Sequence, residues 1–578
     1  MTPDDAEPAA PTRAARLALC GCLLGLFMQM LDTTVVNVAL PDLTVDIGAS
    51  TAQQLLVLSV YTLAFACTLL TAATIGGIFG RRRLFLLSLV VFTVASVLCG
   101  LARSPLELIV FRGAQGIGAA LMSAQTLALI AALFAKRHHG RVFGLYGAVA
   151  GVAAMLGPLI GGLLVEVDLF GWGWRAVFFV NVPIAVGAFV FAAGRLPRLR
   201  DPGADSPDLV GVVLSTAGLF ALLYPLSVGR EQDWPASLWL MTAGAVALLT
   251  LFVLHERRLL RRGGSPLLRV DLFASRQFSV GLLLSLLFFS LFAGFFFAIS
   301  LTLQSGLGHS ALKTGVLALP LAAGAVVGTL SSNTLAGRIG GARTLSCGAV
   351  LVGAAFAWFA AVLEPADAAL DVPASLPPLV LGGVGIGVFI APLQTAILSR
   401  TGPENVGSAS GCVPTVQQIG HSLGLTLVGV FFFGAVAAHA GGAVDGTRPV
   451  LEESLHQTSI DPMFTGAVID RFAYCAQTRL ASAHPDRPVP GCSADSAARS
   501  GLGVGIADEA APAVRTAARR VAAIAFLGGL RSTLWVLAGL ALVVALASPA
   551  LRPGPDEPVR RIPWRTGDAR RAPPVAVD

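Results

Sequence analysis

The sequence predicts an all-α integral membrane protein of fourteen spans, built as two pseudo-symmetric six-helix bundles with a two-helix insert between them. Three observations predict it. Of the 578 residues, 55% are hydrophobic and 13% charged, where soluble domains average about 45–50% and about 25%, and the mean hydropathy is +0.76. Apolar runs of about 20 residues recur along the chain, each long enough to cross about 30 Å of hydrocarbon at about 1.5 Å per residue. A glycine and glutamine pattern in the fourth run returns in the twelfth. Continuous runs specify helices, because a membrane barrel would show alternating strands of about ten residues.

After a tail over 1–16, spans at 17–40, 53–77, 84–102, 106–134, 142–165 and 177–194 make an amino-terminal bundle, 17–194. The first span is expected to be retained: Asp4, Asp5 and Glu7 precede it and no small-residue cleavage site follows. Spans 209–228 and 238–254, with their flanking loops, form the insert, 195–276. Spans 278–303, 314–336, 344–363, 377–399 and 411–438 supply five helices of the second bundle, 277–438. Its sixth, 532–550, is separated from them by a long segment, 439–531, and is followed by a tail, 551–578. Within that segment Asp508 to Leu530 mixes charged and apolar residues at helical spacing, which predicts an amphipathic helix leading into the last span.

Sidedness follows from the basic residues. With the amino terminus inside, the inner short loops hold Arg81, Arg82, Arg83, Lys136, Arg137, Arg141, Arg195, Arg198, Arg200, Arg257, Arg258, Arg261, Arg262, Arg269, Arg276, Arg338, Arg343 and Arg400. The outer ones hold Arg103, Arg175, Arg230 and Lys313. The positive-inside rule therefore puts both termini in the cytoplasm of a multi-pass cell-membrane protein, and 439–531 outside. A net charge of +7 is thus explained by topology, and no nucleic-acid partner is expected.

Gly116-Ile117-Gly118 with Gln125-Thr126 in span four matches Gly385-Ile386-Gly387 with Gln394-Thr395 in span twelve. Each occupies the fourth place in a block of six. The loops after the second helix of each block also match, Phe79-Gly80-Arg81-Arg82-Arg83 against Ile339-Gly340-Gly341-Ala342-Arg343. Two such halves are the arrangement of transporters that rock one half against the other about a midplane site.

Leu31-Asp32-Thr33-Thr34-Val35-Val36-Asn37-Val38-Ala39-Leu40-Pro41 in span one resembles the signature of the fourteen-helix drug:proton antiporters of the major facilitator superfamily. Arg112 through Gly118 is similar to that superfamily's basic motif. Gly157-Pro158-Leu159-Ile160-Gly161-Gly162 resembles its antiport motif, and Trp174-Arg175, Phe178 and Asn181-Val182-Pro183 are similar to its start of span six. The resemblance covers nearly the whole chain apart from the tails and 439–531. It implies the major facilitator fold, proton coupling through Asp32 and Arg112, and gating through Gly80, Arg81, Arg82 and Arg83 and through Gly157, Pro158, Gly161 and Gly162. The chain departs from the pattern at Gly77, where the family has an acid that helps lock the cytoplasmic gate, and at Ile78, Leu56 and Ala153.

On the residues alone, Asp32 is the one carboxylate well inside a predicted span. Burying a charge there costs about 2.5–3.5 kcal/mol on insertion scales, which marks it as functional. Counted from the outer ends of spans one and four, Asp32 and Arg112 lie about 12 and 9 Å deep. Gln29, Asn37, Gln115, Gln125, Gln394, Gln417 and His421 are the candidate cavity residues. Gln417 and His421 share a helix face, either lining a wet cavity or packing as a satisfied pair. Phe288, Phe292, Phe295 and Phe296 share a face as a stacking wall or as lipid-facing bulk. Cys475 and Cys492, the two cysteines of the external segment, are a candidate disulfide whose closure of about 18 residues contributes about 3 kcal/mol. No metal site or cofactor is expected, since His138 and His139 have no further ligand at suitable spacing.

The function expected is export of a lipophilic drug or metabolite against inward proton flow. A primary pump is excluded, because neither Lys136 nor Lys313 ends a phosphate-cradling glycine loop. A proton symporter importing a small solute shares the fold and stays open as an alternative. A membrane enzyme is the more distant one, with no nucleophile, base and acid at recognisable spacing. The expected partners are the bilayer, protons and a small organic substrate, acting on a monomer.

Overall fold

The computed structural model describes residues 12–49, 51–168, 171–199, 208–229, 232, 234–398, 406–458, 460–482, 492 and 504–551. Most of the amino tail, the carboxy tail with its arginines, Arg200, Arg230 and Arg400 lie outside the described residues. Among the described residues fourteen helices are long and apolar enough to cross a membrane, and there is no strand.

The first half comprises α1 (Arg13–Ile47), α2 (Thr51–Phe79), α3 (Arg81–Leu101), α4 (Pro105–Leu133) and α5 (Lys136–Val167). Its sixth span is broken into a 3-10 turn (Gly173–Arg175), a short α6 (Ala176–Phe179) and α7 (Asn181–Ala192). The insert is α8 (Leu209–Val228) and α9 (Ala236–Arg261). The second half comprises α10 (Arg276–Leu301), α11 (Ala311–Ile339), α12 (Gly341–Val362), α13 (Val372–Leu398), α14 (Val406–His456) and α16 (Val504–Ala547), with α15 (Pro462–Ala481) before α16.

Local sequence sets several helix starts. Ser104-Pro105-Leu106-Glu107 forms a reciprocal cap on α4: Ser104 Oγ accepts from the Glu107 amide at 3.3 Å, and Glu107 Oε2 accepts from the Arg103 amide at 2.9 Å. Ser310 caps α11 one way only, its Oγ accepting from the Lys313 amide at 3.2 Å. Gly80 and Gly340, each between the second and third helix of its half, have φ of 97° and 86°, a region open to glycine and strained for other residues.

These two glycines set an offset of 340 − 80 = 260 between the halves, and packing obeys it. Gly116 of α4 lies against the Tyr61 carbonyl of α2, and Gly383 of α13 against the Leu321 carbonyl of α11 (321 − 61 = 260). Gly118 lies against the Phe92 backbone of α3, and Gly385 against that of Val352 in α12 (352 − 92 = 260). The structural partners of Gly116 and Gly118 are therefore Gly383 and Gly385. The match of 116 to 385 expected from sequence is out by two residues, because glycine recurs at 383, 385 and 387. Gln125 and Gln394 are consequently not counterparts.

The halves meet where small residues allow it. On the arginine-rich end, a methyl on Gly411 of α14 would lie 2.8 Å from Ala73 Cβ of α2. Along the α5 seam, a methyl on Gly144 would lie 3.1 Å from Thr329 and one on Gly162 would lie 3.3 Å from Leu312, both on α11.

With 51 residues, α14 is about 76 Å long against a hydrocarbon core of about 30 Å. It projects far beyond the span at the end opposite the arginines, as does the 44-residue α16. The amphipathic 508–530 stretch is thus the projecting first half of α16, continuous with the last span. Leu451 and Leu455 of α14, Val468, Ile469 and Phe472 of α15, and Ala510, Ala517 and Val521 of α16 join one apolar cluster that runs on into the second half. The three helices form a cap, and a disulfide joins Cys475 of α15 to Cys492 with Cα atoms 5.8 Å apart.

Candidate functional site: a buried carboxylate network in the first half

Asp32 lies midway along α1 and is 0% exposed. A charge so placed is stable only if its acceptors are filled. Arg112 of α4, itself 1% exposed, donates from Nη1 to Asp32 Oδ2 at 2.6 Å. Gln115, one turn further along α4, donates from Nε2 to Asp32 Oδ1 at 2.8 Å. Asn181, the first residue of α7, donates from Nδ2 to the same oxygen at 2.9 Å and also lies 3.0 Å from Ser96 Oγ of α3.

Arg112 is held on its other sides. Its Nη1 donates to Gln115 Oε1 at 2.8 Å, its Nε to the Val57 carbonyl of α2 at 3.4 Å, and its guanidinium carbon sits 4.3 Å from the Tyr61 ring centroid. Tyr61 in turn donates to the Gln29 carbonyl of α1 at 3.4 Å. Five helices thus converge on one ion pair. Asn181 Oδ1 has no hydrogen-bond partner, leaving one acceptor unfilled in the network.

The break in the sixth span is what delivers Asn181. Trp174 Nε1 and Arg175 Nη1 both donate to Asp46 Oδ2 of α1, at 3.0 and 2.6 Å, and anchor the 173–180 segment. The Trp174 and Arg175 hydrogen bonds hold the Asp46 carboxyl below its usual value of 3.8. Gly157 completes the setting: a methyl there would overlap Thr34 Oγ1, so α5 runs close against α1 two residues from Asp32. Gly162 faces the second half on the same helix, which carries Pro158 within it. Gly161 is buried.

At the arginine-rich end Arg81 is buried, with its amide bonded to the Leu199 carbonyl at 3.0 Å and its Nη1 3.5 Å from Gln125 Oε1. Gln125 donates to the Ala72 carbonyl at 2.7 Å. An amide therefore meets Arg81 at the start of α3, and Gly77, in the last turn of α2, brings no side-chain charge to it. Arg82 is half-buried and Arg83 exposed.

The remaining candidates are dispersed. Gln29 and Gln394 are each 2% exposed with an unpartnered Oε1, and Gln417 Nε2 is likewise unpartnered. Gln417 and His421 do not form the satisfied pair considered from sequence; the His421 ring instead meets Phe289 and Phe292, at 5.3 and 6.1 Å. Phe288 stacks on Phe389 at 4.1 Å and Phe295 on Phe356 at 4.7 Å, both buried in the second half and facing neither lipid nor cavity. The side chain of Asn37 lies outside the described residues. Sequence reasoning passed over Asn181, Ser96 and Tyr61 as site members. Asn181 carried a signal in the motif it opens, whereas Ser96 carried none.

Residues 22–425 match the family model described as Major Facilitator Superfamily. The chain belongs to this superfamily. Among curated relatives, the superfamily member is 33% identical to the probable actinorhodin transporter of Streptomyces coelicolor, across 96% of this chain and 95% of that protein. It is 36% identical to the puromycin resistance protein pur8 of Streptomyces alboniger, across 76% and 86%. Among solved structures, the proton:xylose symporter XylE superposes with a TM-score of 0.52 at 14% identity, over 74% of this chain and 91% of that one, a likeness of fold.

Proposed function

We propose that this superfamily member is a secondary active exporter, in which protons moving inward drive a lipophilic organic molecule outward by alternating access. One observation carries the reading: an ion pair, Asp32 with Arg112, sealed in the first half and held by side chains from five helices. An intramembrane acid is retained against a cost of about 2.5–3.5 kcal/mol, and proton relay is one of the uses such residues serve. The names of the relatives, an antibiotic transporter and an antibiotic resistance protein, support export of a drug-like molecule.

In this reading a proton from the outer side binds Asp32 Oδ2 and displaces Arg112 Nη1. The guanidinium keeps its neutral partners, Gln115 Oε1, the Val57 carbonyl and the Tyr61 ring, but loses its counter-charge, so the ionic tie from α1 to α4 is gone and the buried cation favours a rearrangement. That loss shifts the balance between the two arrangements of the halves. A neutral substrate couples through the arrangement it prefers, and a cationic one also competes for the carboxylate. The arginine-rich end faces the cytoplasm with both termini, in the cell membrane, and the protein works as a monomer without an enzymatic role. The test is uptake of a panel of fluorescent lipophiles into inside-out vesicles containing the protein. Accumulation that appears only with an imposed inside-acid pH gradient supports proton-driven export, and accumulation indifferent to that gradient contradicts it.

A further inference from the structure

A second buried acid, outside the site described above, lies at the arginine-rich end of the insert. Asp208 caps α8, its Oδ1 accepting from the Gly211 amide at 2.9 Å. His255 Nε2 of α9 lies 3.0 and 3.1 Å from the two Asp208 oxygens. The next residue, Glu256, is 0% exposed. Its Oε2 accepts from the Leu268 amide at 3.2 Å, and its Oε1 is buried with no hydrogen-bond partner. That orphaned oxygen and Asp208 Oδ2 lie against the same residue, Gly211. A methyl on Gly211 would lie 2.6 Å from Glu256 Oε1 and would overlap Asp208 Oδ2 as well. Two carboxyls crowded against one glycine, one of them with a buried oxygen left unfilled, favour a proton held on one of them.

The charged and titratable groups around Glu256 are few among the described residues. Asp208 faces it from the start of α8. His255 on its own helix engages Asp208, and Arg257 and Arg258 point to solvent. The connection after α9 brings Arg269 and Asp271, which pair with each other at 3.6 Å. The nearby groups from α2 and α14 are the neutral hydroxyls of Thr74 and Ser408.

Three consecutive residues of that connection are tied to three different bodies. The Leu267 carbonyl accepts from Thr74 Oγ1 of α2, in the first half, at 3.4 Å. The Leu268 amide donates to Glu256, in the insert. The Arg269 amide donates to Ser408 Oγ of α14, in the second half, at 3.3 Å. This strap lies beside the Gly411–Ala73 seam, where the halves must separate for the arginine-rich end to open.

We infer that Asp208 and Glu256 share one proton and form a second proton-binding site, whose occupancy sets how firmly the 267–269 strap holds the two halves together. With the proton present, the acids attract and Glu256 Oε2 retains Leu268. When it leaves, two like charges repel, Glu256 withdraws and the strap loosens, so rising pH on this face favours opening. The site is independent of the role given to Asp32.

Two measurements on the purified full-length protein test this, both in an Asp32→Asn background so that the other buried carboxyl is silent. In infrared titration, a protonated-carboxyl band is expected that disappears in Glu256→Gln and again in Asp208→Asn. In amide exchange normalised to intrinsic rates, protection of 267–269 should fall as that band titrates, and should lose this pH dependence in Glu256→Gln. Asp208→Asn retains an oxygen to cap α8 and carries the test if Glu256→Gln does not fold. A band unchanged in the variants that fold, or strap protection with the same pH dependence in variant and background, overturns the proposal.

Discussion

Asp32 has three donors on two oxygens, and its chemistry follows from removing them one at a time. Arg112→Ala leaves a buried carboxylate without its cation, a loss of about 3–5 kcal/mol for pairs broken on one side. Asp32→Asn combined with Arg112→Gln removes both charges and is expected to melt above the Arg112→Ala single variant; thermal unfolding in detergent orders the two, and a double variant melting with or below the single would show that the pair is not the stabilising unit. Asp46 gives a pH signature. Its carboxyl is held below 3.8 by Trp174 and Arg175, so its contribution is present above that value and is lost as pH falls through the lowered folded value. Wild type should therefore melt above Asp46→Asn at neutral pH, with the gap closing only in strongly acidic buffer; a gap that widens on acidification would contradict the assignment. Asp32 and Arg112 were legible in the sequence because a charge in an apolar run is anomalous. Asn181 was not legible as a ligand, because an asparagine opening a helix is an ordinary cap until the 3-10 break beside Trp174 turns it inward.

Among the elements, α2 and α14 meet at the arginine-rich end. Gly411 against Ala73 is a backbone approach that leaves no room for a larger side chain, and Gly77 supplies no charge to Arg81 at the start of α3. Gly77→Asp is expected to restore an ionic contact there and slow opening, read as faster cysteine crosslinking across the α2–α14 seam; unchanged crosslinking would show that Gln125 and the backbone already hold Arg81 fully. The spans themselves were readable from hydropathy, since length and apolarity are properties of a single helix. The register between halves was not, because alternating glycines at 383, 385 and 387 match Gly116-Ile117-Gly118 in two frames, and only contacts with α11 and α12 choose between them. The length of α14 was hidden for a similar reason: hydropathy ends at the membrane surface and the helix does not.

For the whole molecule, the second half is continuous with a three-helix cap at the end opposite the arginines, tied by Cys475–Cys492. Cys475→Ser should lower resistance to proteolysis between α15 and α16 and reduce stability by up to about 3 kcal/mol, while leaving the Asp32 network intact; thiol mapping by mass spectrometry without reductant should find both cysteines oxidised in wild type. The cap and the Asp32 network lie in different halves, and α5 lies between them, with Gly157 against α1 and Gly162 against α11. Asp32 is the proposed carrier of the coupled proton. The measurement closest to it is uphill export in vesicles with an imposed pH gradient, comparing Asp32→Asn with wild type at equal protein content. The variant is expected to fold and to exchange substrate down its gradient but no longer to accumulate it against one. Undiminished uphill export by Asp32→Asn would place the coupling site elsewhere.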